Sequence, residues 1–238
     1  MYENGLRIAE ALARDLGTEE SLKDLSFSYV KMGGACEKTQ RPEEQQKAYD
    51  MYEKSLEIRR MLARKKGDAE SQRDLVISYT ALGEIYENLG GEENFQKAWK
   101  MYEKSIQLAQ MLADKQCTVE SMRDLTVSWT KMADICIKIG GRDNLLLSRD
   151  LYNRSLRIQR DLAARQKSIQ SYTDLAVGLF RMADHPMTSP ELKKQYLEQM
   201  FFVSEMLYRK TQSPRYGQFV ELAKSMLEEL QSHSLGRK

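Results

Sequence analysis

Apolar residues recur along this chain at spacings of three and four, with charged residues filling the gaps between them. Leu22, Leu25, Tyr29, Met32 and Cys36 make one such stripe. Leu75, Tyr79, Leu82 and Tyr86 occupy the same slots further on, and so do Met122, Leu125, Trp129, Met132 and Cys136. That period is the buried face of a helix. A second stripe alternates with the first: Ala48, Tyr52, Leu56 and Met61/Leu62, returning as Ala98, Tyr102, Ile106 and Leu112. The pattern predicts A helices at roughly 19–39, 69–89, 119–139 and 169–184, and B helices at roughly 43–66, 92–116, 143–166 and 190–211.

The two stripes belong to one repeating unit. Met51-Tyr-Glu-Lys-Ser55 returns as Met101-Tyr-Glu-Lys-Ser105 and, altered, as Leu151-Tyr-Asn-Arg-Ser155, with Met1-Tyr-Glu-Asn-Gly5 as a first copy. From 51 to 101 is 50 positions, and from 101 to 151 another 50. A fixed period of this size means stacked helical units. Repeats are expected over 17–66, 67–116, 117–166 and 167–212 within a single domain spanning 1–238.

The punctuation agrees. Thr18, Asp68, Thr118 and Ser168 stand before the A helices as N-caps, and Ser189 does so before Pro190. Gly90-Gly91 and Gly140-Gly141 follow A helices, where glycine takes a left-handed cap cheaply. Pro42 sits where a first-turn proline is tolerated, and Glu92-Glu93 puts acid at the positive end of a helix. Short connections require neighbouring helices to run antiparallel.

The ends differ. Residues 1–16 read as an orphan B helix with Tyr2, Leu6, Ala9, Leu12 and Leu16 on its stripe, leaving a face that a preceding A helix would cover. This points to a fragment of a longer protein or a late start codon, and makes homo-oligomerisation through that uncovered helix a third possibility. Residues 213–232 carry Tyr216, Phe219, Val220, Ala223, Leu227 and Leu230 inside and Glu221, Lys224, Glu228 and Glu229 outside, as a solubilising cap needs. The chain is expected to end naturally there.

Tyr79-x-x-Leu82-Gly83-x-x-Tyr86 followed by Ala98-x-x-x-Tyr102-x-x-Ser105 resembles the tetratricopeptide repeat. Tyr29/Met32/Gly33/Cys36 with Ala48/Tyr52, and Trp129/Met132/Ala133/Cys136 with Ser148/Tyr152, are further copies. The weakest is Leu179/Met182/Ala183/Pro186, with Glu198 and Phe202 in the alanine and aromatic slots. The period exceeds the family's usual 34 and is similar to long-repeat variants of bacterial proteins, often found beside signalling or effector domains. The resemblance implies an all-α, right-handed superhelical α-solenoid of about ten helices. It also implies a non-enzymatic scaffold that binds a peptide or helical segment of a protein in a groove lined by A helices. A regulatory or sensor array within a larger bacterial signalling protein is the alternative.

Carried onto this chain, the groove holds Lys23, Phe27, Val30/Lys31 and Glu37; then Arg73, Ile77, Thr80/Ala81, Glu84 and Asn88. Arg123, Val127, Thr130/Lys131, Asp134 and Lys138 follow, and last Val177, Phe180/Arg181 and Asp184. Basic residues at one end, apolar ones in the middle and acids at the other would suit an amphipathic segment. Ordinary solvated helix faces are the plainer reading. The family's clamp for a terminal carboxylate is broken by Val30 and Gly34. Asp24, Asp74, Asp124 and Asp174 repeat in one slot, either as a charged ladder or as structural acceptors for neighbouring helices and for Ser28, Ser78 and Ser128.

Composition narrows the rest. With 37 basic and 35 acidic residues the net charge is +2, so no strong field recruits nucleic acid or a membrane. No apolar run approaches the roughly 18 residues that span a bilayer, and no secretion signal opens the chain. Cys36, Cys117 and Cys136 lack CxxC spacing and read as reduced thiols of a cytoplasmic protein. Cys36 and Cys136, in the slot of Tyr86, read as small core residues. No phosphate loop, HExxH or nucleophile elbow is present, so neither catalysis, a metal nor a cofactor is expected. The only histidines are His185, in a loop, and His233, in the tail; Cys136 with His185 as a nucleophilic pair, or with Cys36 as a metal site, is the remote alternative.

Overall fold

The computed structural model describes residues 2–37, 39 and 41–235; the side chains of Glu37, Pro42 and residues 233–235 lie outside that description. The expected roles of Met1, Glu37 and His233 therefore fall outside the described residues. Among the described residues the chain is all α, with ten helices and no strand: α1 (Tyr2–Leu16), α2 (Glu19–Glu37), α3 (Pro42–Lys66), α4 (Ala69–Leu89) and α5 (Glu92–Gln116), then α6 (Val119–Ile139), α7 (Arg142–Gln166), α8 (Ile169–Asp184), α9 (Pro190–Thr211) and α10 (Pro214–Leu235). These are the A and B helices the apolar period predicts, to within a residue or two at their ends. The chain divides into two compact units, Met1–Lys131 and Met132–Lys238, described separately below.

In the first unit α3 packs between α2 and α4, while α1 packs against α2 and α5 against α4. The crossing is set by a small residue under a large one. The Tyr52 ring lies over Gly33, where a Cβ would stand 2.7 Å from its edge, and Tyr102 lies over Gly83 in the same way. Glycine is needed at both positions because the ring occupies the space a methyl would fill. Tyr102 and Ala98 are fully buried, and the Tyr102 hydroxyl donates to Glu87 at 2.6 Å. Within the A stripes, Leu75 and Tyr79 are only half-buried, while Val76, Ser78 and Ile85 sit deeper. Leu62, not Met61, faces the core.

In the second unit, Trp129's successors Met132, Ala133, Ile135 and Cys136 join Leu151, Tyr152, Leu156, Leu179 and Met182 in the core. Burial pushes the Cys136 thiol up to about 12, so it stays protonated as a small hydrophobe. α10 packs on α9 through Tyr216, Val220 and Ala223, with its Glu221, Lys224, Glu228 and Glu229 outside. One expectation fails here. Phe202 is 69% exposed and Glu198 is exposed, whereas Leu197 and Met200 are buried. The fourth repeat is one residue short, so Leu197, Phe201 and Ser204 take the slots of Ser148, Tyr152 and Ser155, and the fifty-residue carry-over lands on the wrong face.

The caps are those the sequence marks. Thr18, Asp68, Thr118, Ser168 and Ser189 each accept from a backbone N–H three residues on. Gly90 (φ 67, ψ 178) and Gly91 (φ 83, ψ 153) correct the expected left-handed cap: they occupy the positive-φ extended region, which is more exclusively glycine's. Asn94 and Asn144 return their side-chain amides to the carbonyls of Gly90 and Gly140.

Candidate interaction surface

The A helices of the first unit present one slot outward. Phe27 of α2, Ile77 of α4 and Val127 of α6 are 53%, 47% and 48% exposed. Side chains of this type are usually inside, and here they recur in register on three successive helices. Between α2 and α4 a cleft of about 470 Å³ runs past Phe27, Val30, Tyr52, Ile77 and Ala81. A shallower one of about 180 Å³ lies between α4 and α6, against Ile77, Thr80, Ala81, Glu84 and Val127.

The floor of the larger cleft departs from the repeat. Its half-buried Arg59 stands in the slot of Ala9 and Ala109. Its guanidinium donates to the Asp74 carbonyl at 3.1 Å, to Ser78 Oγ at 2.8 Å and, at 3.5 Å, to Ser26 Oγ, tying α3 to α2 and α4. Burial pulls its pKa down, against the pull of the Asp74 charge. In the next repeat Ala109 leaves Ser105 and Ser128 free to bond each other at 2.8 Å. With Arg59 on Ser78, the equivalent Ser55 hydroxyl is buried without a partner.

The charged candidates are mostly engaged with one another across successive A helices. Lys23 pairs with Glu70 at 2.5 Å, Arg73 with Asp124 at 2.5 Å and Lys131 with Glu84 at 2.5 Å. In the second unit, Arg181 pairs with Asp134, which also receives the Tyr152 hydroxyl. Lys23 and Arg73 are held protonated above their ordinary range chiefly by those bonds. Lys31 lies 4.4 Å over the Phe27 ring, and Thr80 turns its hydroxyl to Ser105 of α5. Asn88 is exposed, Arg123 and Phe180 half-buried; Asn88 and Arg123 each have a partner. The structure thus brings the apolar candidates together as an open surface and spends the ionic ones on joining repeats. Of the acceptors, Glu70 is absent from the sequence-based readings, whereas Asp124 belongs to the repeated aspartate slot read there as a possible acceptor for a neighbouring helix. The signal was there: Lys23/Glu70 and Asp134/Arg181 are opposite charges 47 residues apart, three short of the repeat.

Of the aspartate slot, Asp124 serves the neighbouring helix, while Ser28, Ser78 and Ser128 donate to the carbonyls of Asp24, Asp74 and Asp124. Among the described residues no cluster of metal-ligating side chains occurs and no helix is long and apolar enough to cross a membrane. His185 meets Ser148, not Cys136: its Nδ1 accepts from the Met187 N–H at 3.1 Å, and Nε2 lies 2.7 Å from Ser148 Oγ. Both side chains are buried, which marks a core contact at the end of α8.

No family model matches the chain, and no curated protein sequence matches it. Solved structures do. BtubC from P. vanneervenii is 14% identical, with TM-score 0.59 over 99% of this chain and 90% of that one. The S. pombe nuclear import adaptor Nro1 is 15% identical, with TM-score 0.56 over 93% and 73%. A signal transduction ATPase with a tetratricopeptide repeat sensor from Pyrococcus horikoshii is 12% identical, with TM-score 0.56 over 99% of this chain and 34% of that one. At such identities the likeness is one of fold, an all-α helical-repeat solenoid.

Proposed function

We propose that this chain is a non-enzymatic protein-interaction scaffold of tetratricopeptide type. Its working surface is the A-helix face of the first unit, and it takes an apolar segment of a protein partner. The observation that carries this is the exposed ladder of Phe27, Ile77 and Val127 flanking two clefts. Exposed apolar side chains repeated in register mark interaction sites more often than isolated ones do. The charged residues on either side are already paired between helices, so specificity rests on the apolar slots and the clefts between them. Selection of a phage-displayed peptide library on the immobilised full chain tests this. Wild type should enrich apolar or amphipathic sequences, and a Phe27→Glu/Ile77→Glu/Val127→Glu variant with an unchanged melt should not. Equal enrichment by both would move binding off this face.

A second reading, a sensor array inside a larger signalling protein, is favoured by the fold likeness to the P. horikoshii sensor. The coding sequence upstream of Met1 tests it: an in-frame ATPase domain or further repeats would support it, and an in-frame stop would end it.

A further inference from the structure

Three positions depart from the repeat at one place, the cleft between α2 and α4. The slot of Lys31, Lys131 and Arg181 holds Ala81 there, the slot of Thr80 holds Val30, and the slot of Ala9 and Ala109 holds Arg59. All three departures line the cleft. Where the A helix drops its long cation the space opens. The cleft measures about 470 Å³, against about 180 Å³ between α4 and α6, where Lys131 reaches back to Glu84. The cation has moved from the A helix to the floor, on the B helix beneath.

That floor holds two polar groups in need of a partner. In the next repeat Ser105 bonds Thr80 and Ser128, each at 2.8 Å. Ser55 has lost both counterparts, because Val30 has no hydroxyl and Ser78 is held by Arg59. Its hydroxyl is unpartnered in a residue only 1% exposed, and it lines the cleft. Arg59 commits Nη1 to the Asp74 carbonyl and Ser78, and Nε to Ser26. Its Nη2 has no partner and its charge no ion pair among the described residues. The walls around these groups are Phe27, Val30, Ile77 and Ala81. A half-buried guanidinium between apolar walls is stabilised by a carboxylate that accepts from its fork.

We infer that the α2–α4 cleft is an acid-recognition subsite, which takes one Asp or Glu side chain of the partner's segment against Arg59 and Ser55. This rests on the reading of the A-helix face as the partner surface, and adds what the partner must carry. The cleft shares Ile77 and Ala81 with the shallower one. A segment lying along the A helices therefore covers Ile77 with apolar residues while its acid drops to the floor. Asp24 and Asp74 also line the cleft, and Lys23 beside them is already engaged by Glu70. The two aspartates repel a further negative charge, so a phosphate or a run of acids fits worse than a single carboxylate.

A peptide library fused to phage through its C-termini, so that side chains supply the only carboxylates, is selected on the immobilised full chain. Enriched sequences should hold one Asp or Glu between apolar residues. The leading peptide, made with an amidated C-terminus, is then titrated by fluorescence anisotropy. Arg59→Ala restores the residue of Ala9 and Ala109 and releases Ser78 to Ser55, so the melt should hold while binding weakens about ten-fold. Ala81→Gln, which fills the cleft without adding charge, should weaken binding as much; should Arg59→Ala melt lower, this variant carries the comparison. Replacing the peptide's acid by its amide should cost about ten-fold on wild type and nothing further on Arg59→Ala, since both changes remove one contact. Equal loss on both proteins would overturn the proposal and leave the scaffold reading standing. So would enriched apolar sequences that lack an acid and bind Arg59→Ala as well as wild type. Saturation by octanoate alone, at a lower concentration than the peptide needs, would also overturn it, since a free acid would then be the occupant. No enrichment by wild type would overturn both readings.

Discussion

Tyr102 shows how one side chain fixes the approach of two helices. Its ring fills the space above Gly83, its hydroxyl reaches Glu87, and no part of it meets solvent. Tyr102→Ala should cost about 3–5 kcal/mol, because the cavity cannot collapse between two packed helices. Tyr102→Phe should cost only about 1 kcal/mol, the worth of one hydrogen bond. Ala98→Leu should cost about 1–3 kcal/mol by overpacking the same crossing. Urea unfolding distinguishes these values, and equal midpoints for all three would mean the crossing does not carry stability. At other residues the repeat is broken on purpose-built terms. Arg59 stands in the slot of Ala109 and leaves Ser55 without a partner; in the second unit Gln159 holds that slot and lies against Gly178, the one copy of its slot without serine, with its own Oε1 buried and unpartnered.

Between elements, the turn from each B helix to the next A helix demands one left-handed residue. Gly17 and Gly67 supply it at φ 56 and 62, but Cys117 and Lys167 adopt φ 50 with a side chain attached. Cys117→Gly and Lys167→Gly should each raise stability by about 0.5–1 kcal/mol, read from thermal melts. The end of α8 makes a different demand. Burial, with the Arg149 charge adding to it, pulls the pKa of His185 below its ordinary value of 6.5, against the opposing pull of the Leu145 carbonyl. The unfolded chain then binds the proton more readily than the folded one. Stability from this residue is fully present above about pH 6.5 and falls as pH drops towards the folded pKa, by at most about 1.4 kcal/mol per pH unit. Melting temperature should therefore decline between pH 7 and pH 5, and His185→Gln should flatten that decline.

Across the whole molecule, ion pairs are many and their worth is small. The bridges between A helices have side chains from 14% to 70% exposed, and pairs of that kind contribute about 0–1 kcal/mol each. Raising salt from about 0.05 to 0.5 M shortens the screening length severalfold, yet the melting temperature should move by less than about 3 °C. A larger drop would mean that electrostatics, rather than the tyrosine–glycine crossings, hold the repeats together. The nearly balanced charge of 37 basic and 35 acidic residues leaves no strong long-range field to recruit partners.

The period of the apolar stripes was enough to place all ten helices, because a helix must bury one face every 3.6 residues and the chain states that face four times over. Caps were legible for the same local reason: Thr18 or Asp68 acts on its own next turn. The Phe27/Ile77/Val127 slot was assigned to a groove through the resemblance to the tetratricopeptide repeat, and the structure leaves these three side chains exposed. What crosses between helices was not legible. Lys23 and Arg73 read as available groove cations until Glu70 and Asp124 were seen beside them, because a pairing across 47 or 51 positions depends on how far one helix slides along the next. Phe202 read as core until a repeat one residue shorter turned it outward. Local pattern decides which face a helix buries; only the packed structure decides which partner, and at what register, covers it.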